Sequence, residues 1–361
     1  MPRITTSRKE EGAMSRSGRC AKVCVVLMIL LLISAVARWS GASAAPVLDL
    51  GGYTGPDAQY IIKQIPEPVL KPGYKFKAGY LQVFSGINVM MTLQNECEKK
   101  VRALGGTFIS YDAGLDIQKQ VSQMDQLISQ KVDVIIAYPT TDVALTQGVA
   151  AAKAAGIPVV QVNVPSNSQK TLDPNVAAMV GMAFDQYDYV TIKYIAEKFP
   201  KGKVAFLGYG PPTDNLVHII GRAKYWAQQM GLNILGEVPA MDASPNAATV
   251  ATQAIIGKYP DVQIIIGYND YATMAAAATL KAAGKTGVLV ATMNGGQDIT
   301  AAGIKEGTAL CAYRNAWWKV GNAAAIAAYD VLTRQPLPAR RMLFIGELAT
   351  KENVDSLTFV H

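Results

Sequence analysis

Short, almost unbroken apolar runs recur along this chain, and most are followed by a segment of helical periodicity. "VDVIIAYPTTD", "IPVVQVNVP", "GKVAFLGYG", "VQIIIGYND" and "TGVLVATMNGG" are examples. A strand with one face in water alternates apolar and polar residues; a run without alternation is covered on both faces. Strands of that kind, alternating with helices, predict parallel sheets flanked by helices on each side. Met90, Leu93, Cys97, Val101 and Leu104 mark one helix face, and Ile117, Val121, Met124 and Leu127 another. Further helices are expected over "VALTQGVAAAKAAG", closed by Gly156, and over 216–230, 245–258 and 271–283.

The units come in two blocks, 77–165 and 203–294, separated by "SNSQKTLDPNVAAMVGMAFDQYD", which reads as a turn-rich connection. Two doubly wound lobes are therefore expected. The elements after Asn294, "QDITAAGIKEG", "TALCAYRN" and "AWWKVGNAAAIAAYDVLTRQ", are too many for one lobe and predict that the chain crosses back. Residues 45–76, rich in Pro and Gly, predict an extended N-terminal segment lying on the body.

Residues 1–44 read as a secretory signal peptide. Arg16, Arg19 and Lys22 precede the uncharged run Val23–Ala37, and Ala42-Ser43-Ala44 supplies small residues for cleavage after Ala44. The run is shorter than the ~20 residues that span a bilayer. Met14 is an alternative start that leaves the signal whole. This leader holds seven Lys/Arg and two Glu, a net +5 out of +7 for the chain, leaving about +2 on the remainder. The basic balance thus gives no support for a nucleic-acid partner. Cys97 and Cys311, set in apolar surroundings, are expected as buried thiols, with a disulfide left open. His218 and His361 are the only histidines, and no Cys/His cluster offers a transition-metal site. No cofactor is expected.

In doubly wound sheets, ligands bind beyond the carboxyl ends of the strands. Those ends carry Ser85-Gly86-Ile87-Asn88, Tyr138-Pro139-Thr140-Thr141, Asn163, Tyr209-Gly210, Asn269-Asp270 and Asn294-Gly295-Gly296. Strong acids and bases are scarce there. No G-x-S-x-G elbow or Walker loop occurs, and "GYGPP" fails the G-x-G-x-x-G pattern. Neutral hydrogen-bonding groups beside aromatic faces suit reversible capture of a neutral polar molecule rather than catalysis. Within "IIIGYNDYATM", Asn269 is expected to face the ligand and Asp270 to cap the following helix.

In order along the chain, "LGGTFISYDAGLDIQKQVSQMDQLISQKVDVIIAYPTTD", "AAAKAAGIPVVQVNV", "GRAKYWAQQMGLNILGE", "YPDVQIIIGYNDYATMAAAATLKAAGK" and "VATMNGGQDITAAGIKEGTALCAYRN" resemble the type I periplasmic solute-binding proteins of ABC transporters, the ribose/galactose-binding class. The resemblance spans roughly residues 75 to 350. It implies α/β architecture with two doubly wound parallel-sheet lobes joined by a three-crossover hinge: 77–181 with 315–340 in the first, 182–314 with 341–361 in the second. It further implies a monomeric, non-enzymatic, periplasmic or secreted protein that closes on a sugar or polyol and delivers it to a membrane permease. A sensor feeding a chemoreceptor or two-component kinase is the alternative.

Carried over position by position, the resemblance is most informative where it breaks. The Asn–aromatic pair after the first strand is replaced by "SGINVMM", and the Asp-Arg at the fourth strand's end by Asn163-Val164. His218 stands where an Arg is common, with Arg222 one turn on; Asn294 replaces an Asp; Asn315, beside Arg314, replaces a Gln. The implied ligand set is Ser85, Asn88, Tyr138, Asn163, Tyr209, His218, Asp242, Asn269, Asn294 and Asn315. Loss of the charged clasp, which grips hydroxyls by charge-assisted bonds, implies a small polyol, an atypical sugar or another uncharged polar metabolite.

Overall fold

The apolar runs become the central strands of two six-stranded sheets, buried on both faces as absence of alternation requires, while the edge strands at Gly106–Asp112 and Asn233–Ala240 are partly exposed. The computed structural model describes residues 48–141, 143–162, 172–211, 214–242 and 244–359, with the side chains of 214–216 left aside. The expected signal peptide, its Val23–Ala37 run, Asn163 and His361 lie outside them.

The first sheet has the order β2-β1-β3-β4-β5-β11, all parallel: β1 is Phe76–Gln82, β2 Gly106–Asp112, β3 Val134–Ala137, β4 Val159–Val162, β5 Ala178–Met182 and β11 Arg341–Phe344. The second has the order β7-β6-β8-β9-β10-β12, with β6 Lys203–Tyr209, β7 Asn233–Ala240, β8 Ile264–Gly267, β9 Leu289–Gly295, β10 Ala309–Arg314 and β12 Glu347–Thr350. There only β12, at the edge, runs antiparallel.

Helices α1 (Asn88–Ala103), α2 (Ile117–Ser129), α3 (Thr146–Ala154) and α9 (Trp317–Thr333) belong to the first lobe. Helices α4 (Phe184–Lys198), α5 (Asp214–Gln229), α6 (Pro245–Lys258), α7 (Asp270–Ala282) and α8 (Asp298–Glu306) belong to the second. Local chemistry sets their starts: Asp116 caps α2 by accepting from Lys119 N at 3.0 Å, and Ser244 caps α6 by accepting from Ala247 N at 3.1 Å. Cys97 and Cys311 are both buried free thiols, one in each lobe. Among the described residues no helix is long and apolar enough to cross a membrane.

The chain passes between lobes at 183, at 315–316 and at 345–346. Two expectations need correction. The stretch between the blocks is not merely turns: it contains β5 and the start of α4, because "AMVGM" is itself an apolar run that fills the sheet beside β4. The resemblance implies that residues 341–344 belong to the second lobe, yet "RMLF" pairs with β5 in the first. The last crossing therefore comes after Phe344, and two short strands four residues long divide between the sheets.

The three crossovers are tied at one phenol. Tyr313, at the end of β10, donates to Gln186 Oε1 at 2.7 Å, and the Gly346 N–H donates to the same hydroxyl at 2.9 Å. Gln186 follows the first crossover, Tyr313 precedes the second and Gly346 lies in the third. Tyr313 and Gln186 are both buried, so water does not readily replace the bond between them.

The N-terminal segment adds a strap outside this hinge. Gly51 accepts from Lys193 of α4 at 3.0 Å; Ile62 N donates to Leu343 O at 2.9 Å; Lys71 N donates to the Tyr329 hydroxyl of α9 at 2.7 Å. It thus runs from the second lobe onto the first. Tyr53 is clamped between Asp57 and Asp185, the latter at 2.6 Å, near the Arg222–Asp188 ion pair at 2.7 Å. A single hydroxyl proton serves one carboxylate; the other contact requires a carboxyl proton. Burial pushes the Asp57 pKa up, which suits it to hold that proton.

Tyr313→Phe keeps the ring and removes both bonds, leaving the buried Gln186 and the half-buried Gly346 N–H without this partner. It is expected to cost about 1–3 kcal/mol, read as a lower denaturation midpoint; an unchanged midpoint contradicts the role of this phenol.

Candidate functional site

The carboxyl ends of both sheets meet around a cavity of about 180 Å³. Strand geometry places its walls: the loop after β1, Leu115 after β2, Tyr138-Pro139-Thr140 after β3 and Trp317 at the start of α9 from the first lobe; Tyr209 at the end of β6, Asn269–Tyr271 after β8, Asn294 and Gly295 at the end of β9 and Gln297 just beyond it from the second. This is the position that ligands take in open α/β sheets.

Four of the sequence-derived candidates, Tyr138, Tyr209, Asn269 and Asn294, line the cavity together. Asn315 stands directly behind it, buried, its amide donating to Asn294 Oδ1. The others are placed elsewhere among the described residues. Ser85 turns away and donates to Asp112; Asn88 is exposed at the first turn of α1; Asp242 is exposed and accepts from Ser244 N at 2.7 Å. His218 is half-buried in α5 outside the cavity wall, and Arg222, one turn on, is engaged by Asp185 and Asp188.

The helix start at Asn269 reverses one expectation. Asn269, not Asp270, is the N-cap of α7: its backbone is extended (φ −155°, ψ 175°) and its Oδ1 accepts from Ala272 N at 2.9 Å. The helix begins at Asp270, one residue earlier than the sequence suggests, so Asp270 is already helical and cannot cap. Because a backbone N–H fixes Oδ1 as the acceptor, the Asn269 amide NH₂ remains for the cavity. One residue therefore both caps the helix and presents a donor.

Asp270 instead joins two elements. Its Oδ1 accepts from Gly296 N at 3.3 Å and from the Thr300 hydroxyl at 2.5 Å, holding the β9–α8 loop against the start of α7. Burial pushes its pKa up to about 6, against the lowering effect of the Thr300 and Gly296 bonds.

Residues that sequence reading left out are mostly apolar: Val83, Phe84, Ile87, Val89, Met90 and Leu115 from the first lobe. Only their clustering after the carboxyl ends of β1 and β2 could have flagged them. Gln297 and Tyr271 complete the second-lobe wall. Among the described lining residues there is no Lys, Arg or His, and Asp270 is the one carboxylate. Among the described residues no group of three or more His, Cys, Asp or Glu is placed to hold a metal. The arrangement offers binding contacts without a nucleophile–base pair.

A carboxyl whose pKa rises on folding takes up protons in the folded state. Its contribution to stability is complete below the ordinary carboxyl range and is lost as pH climbs towards about 6. Asp270→Asn keeps an acceptor without titrating. The stability of the wild type relative to Asp270→Asn is expected to fall by about 2–3 kcal/mol between pH 4 and pH 7 and then level off, measured by denaturation at each pH. A difference that stays flat across this range contradicts the burial effect.

Comparison with known proteins agrees with this geometry. Residues 79–336 match the model of the periplasmic binding protein domain. The chain is 28% identical over 243 residues to the ribose import binding protein of Bacillus subtilis (strain 168), covering 67% of this chain and 77% of that protein. It is 27% identical over 249 residues to the xylitol-binding protein of Mycolicibacterium smegmatis, covering 67% and 68%. An ABC transporter periplasmic solute-binding protein from Actinobacillus succinogenes 130z, solved with D-allose bound, shares the fold with a TM-score of 0.70 at 21% identity, covering 78% of this chain and 99% of that one. These relatives are solute-binding proteins rather than catalysts. Two parallel-sheet lobes, three crossovers and a cavity between strand ends are the frame of that family, and the chain is a member of the periplasmic binding protein family.

Proposed function

We propose that the protein is the secreted solute-binding component of an ABC importer, a monomer that captures a neutral polar molecule of the sugar or polyol kind between its lobes and hands it to a membrane permease. The observation that carries this reading is the inter-lobe cavity with the Asn269 amide NH₂ open to it and no cationic side chain among its described lining residues. Tyr209, Asn294 and Gln297 surround the same space and supply further neutral hydrogen-bonding groups. An anionic solute would find no counter-charge in that wall, whereas hydroxyls can both accept from and donate to it. The relatives named for ribose and xylitol support the same solute class. Closing two lobes over a ligand excludes water and creates the state that a permease distinguishes from the open one.

Substitution at Asn269 separates the two jobs of that residue. Asn269→Ser retains a capping oxygen and removes the amide donor; Asn269→Ala removes both. With a sugar or polyol that stabilises the wild type, about 2.7 kcal/mol is expected at a hundredfold excess over Kd. Asn269→Ser is expected to bind at least tenfold more weakly with little change in the unliganded melt. Asn269→Ala is expected to lose binding and about 1 kcal/mol of stability. Undiminished binding by both variants, in a combined melt and calorimetric titration, contradicts a ligand contact at Asn269.

A further inference from the structure

The cavity is polar mainly on one side, Tyr138 and Thr140 being the hydroxyl-bearing residues of the first-lobe wall. The second lobe brings Tyr209, Asn269, Asn294 and Gln297, and the first brings Phe84, Ile87, Met90, Leu115 and Trp317. Thr140, a hydroxyl on the first-lobe wall, is already donated to Gln120 Oε1 at 2.9 Å. A fully hydroxylated sugar bound here would turn some hydroxyls towards aliphatic carbon, and a buried hydroxyl without a partner is unfavourable.

Two of these apolar residues stand where local backbone chemistry disfavours them. Leu115 has φ 68°, the left-handed region that suits Gly or Asn and penalises a branched side chain. Its N–H is held by Val83 O at 2.9 Å, and its side chain is 48% exposed towards open cleft. Ile87 occupies the N-cap of α1 with an extended backbone (φ −137°, ψ 147°) and makes no capping bond, at a position that favours Ser, Asn or Asp. Neither residue is explained by the stability of its own element. Both line the same cavity. Local rules broken together at one site point to a functional demand there.

We infer that the solute is amphipathic: a hydroxylated head held by the Asn269 side of the second lobe, and an apolar portion (a deoxy or methyl position, a short alkyl group or a compact ring) packed on Ile87, Leu115 and Met90 of the first. This rests on the reading of the cavity as the solute site. It narrows the ligand from neutral polyols at large to those with one face stripped of hydroxyls.

Matched pairs test it in calorimetric and thermal-shift titrations of the purified protein: D-xylose against methyl β-D-xylopyranoside, L-mannose against L-rhamnose, and glycerol against 1-phenyl-1,2-ethanediol. In at least one pair, the member with the apolar substituent is expected to bind tenfold or more tightly. Ile87→Asn and Leu115→Asn place Asn where the backbone favours it. Their unliganded melting temperatures are expected to be unchanged or higher, while the preference for the apolar member shrinks at least fivefold. If the fully hydroxylated member of every binding pair is equal or better, the amphipathic ligand is overturned while solute binding stands. If no compound of either sort binds, both readings fall. A lowered melting temperature in both variants shows that Ile87 and Leu115 serve the fold, and equally overturns the inference.

Discussion

The Tyr313 hydroxyl, accepting from Gly346 and donating to Gln186, holds the three strands of chain that join the lobes within one hydrogen-bonding group. A two-lobed binding protein must be firm within each lobe and yielding between them. Here each lobe is firm because its sheet is covered on both faces, with side chains such as Tyr80 and Phe206 at 0% exposure. The crossovers are short, and pinning them at a single buried phenol limits relative motion to bending about that point. Because all three leave the sheets at this end, the carboxyl edges of both are brought opposite one another, and the cavity follows.

The site is built economically from that arrangement. At the end of β8, one asparagine oxygen is spent on starting α7 and the NH₂ that remains faces the cavity. The next residue, Asp270, lines the same wall and fixes the β9–α8 loop that carries Gln297. Two adjacent residues thus start the helix, present a donor to the cavity and hold the neighbouring loop. Asn315, buried behind Asn294, extends the same logic by one layer. The first lobe contributes little hydrogen bonding; its Ile87 and Leu115 forgo favourable local chemistry to present carbon.

Much of this was legible in the residues, for identifiable reasons. Runs such as "VQIIIGYND" and "VDVIIAYPTTD" state their own burial, and the polar residues that end them mark the ligand side, so Tyr138, Tyr209, Asn269 and Asn294 could be picked out together. The errors share a physical cause as well. A one-residue shift in where α7 begins moved the capping role from Asp270 to Asn269, since capping depends on a single backbone conformation. "RMLF" is too short, and too close to the next strand, to announce which sheet it joins. Ser85 and Asp242 sit in loops whose direction is set by turns with no periodicity, and His218 depends on the phase of a helix. The apolar wall was invisible because Ile87 and Leu115 gain meaning only when the fold brings two loops together.

The central claim is that solute binds between the lobes and is gripped by both. Hydrogen exchange, read by mass spectrometry with and without a saturating stabilising solute, tests it most directly. The account predicts that binding slows exchange at once in the first-lobe segment 83–90 and in the second-lobe segments 269–273 and 294–298, while the faces of α3 and α6 remote from the cavity are unaffected. Protection confined to one lobe, or appearing only away from these segments, would contradict it.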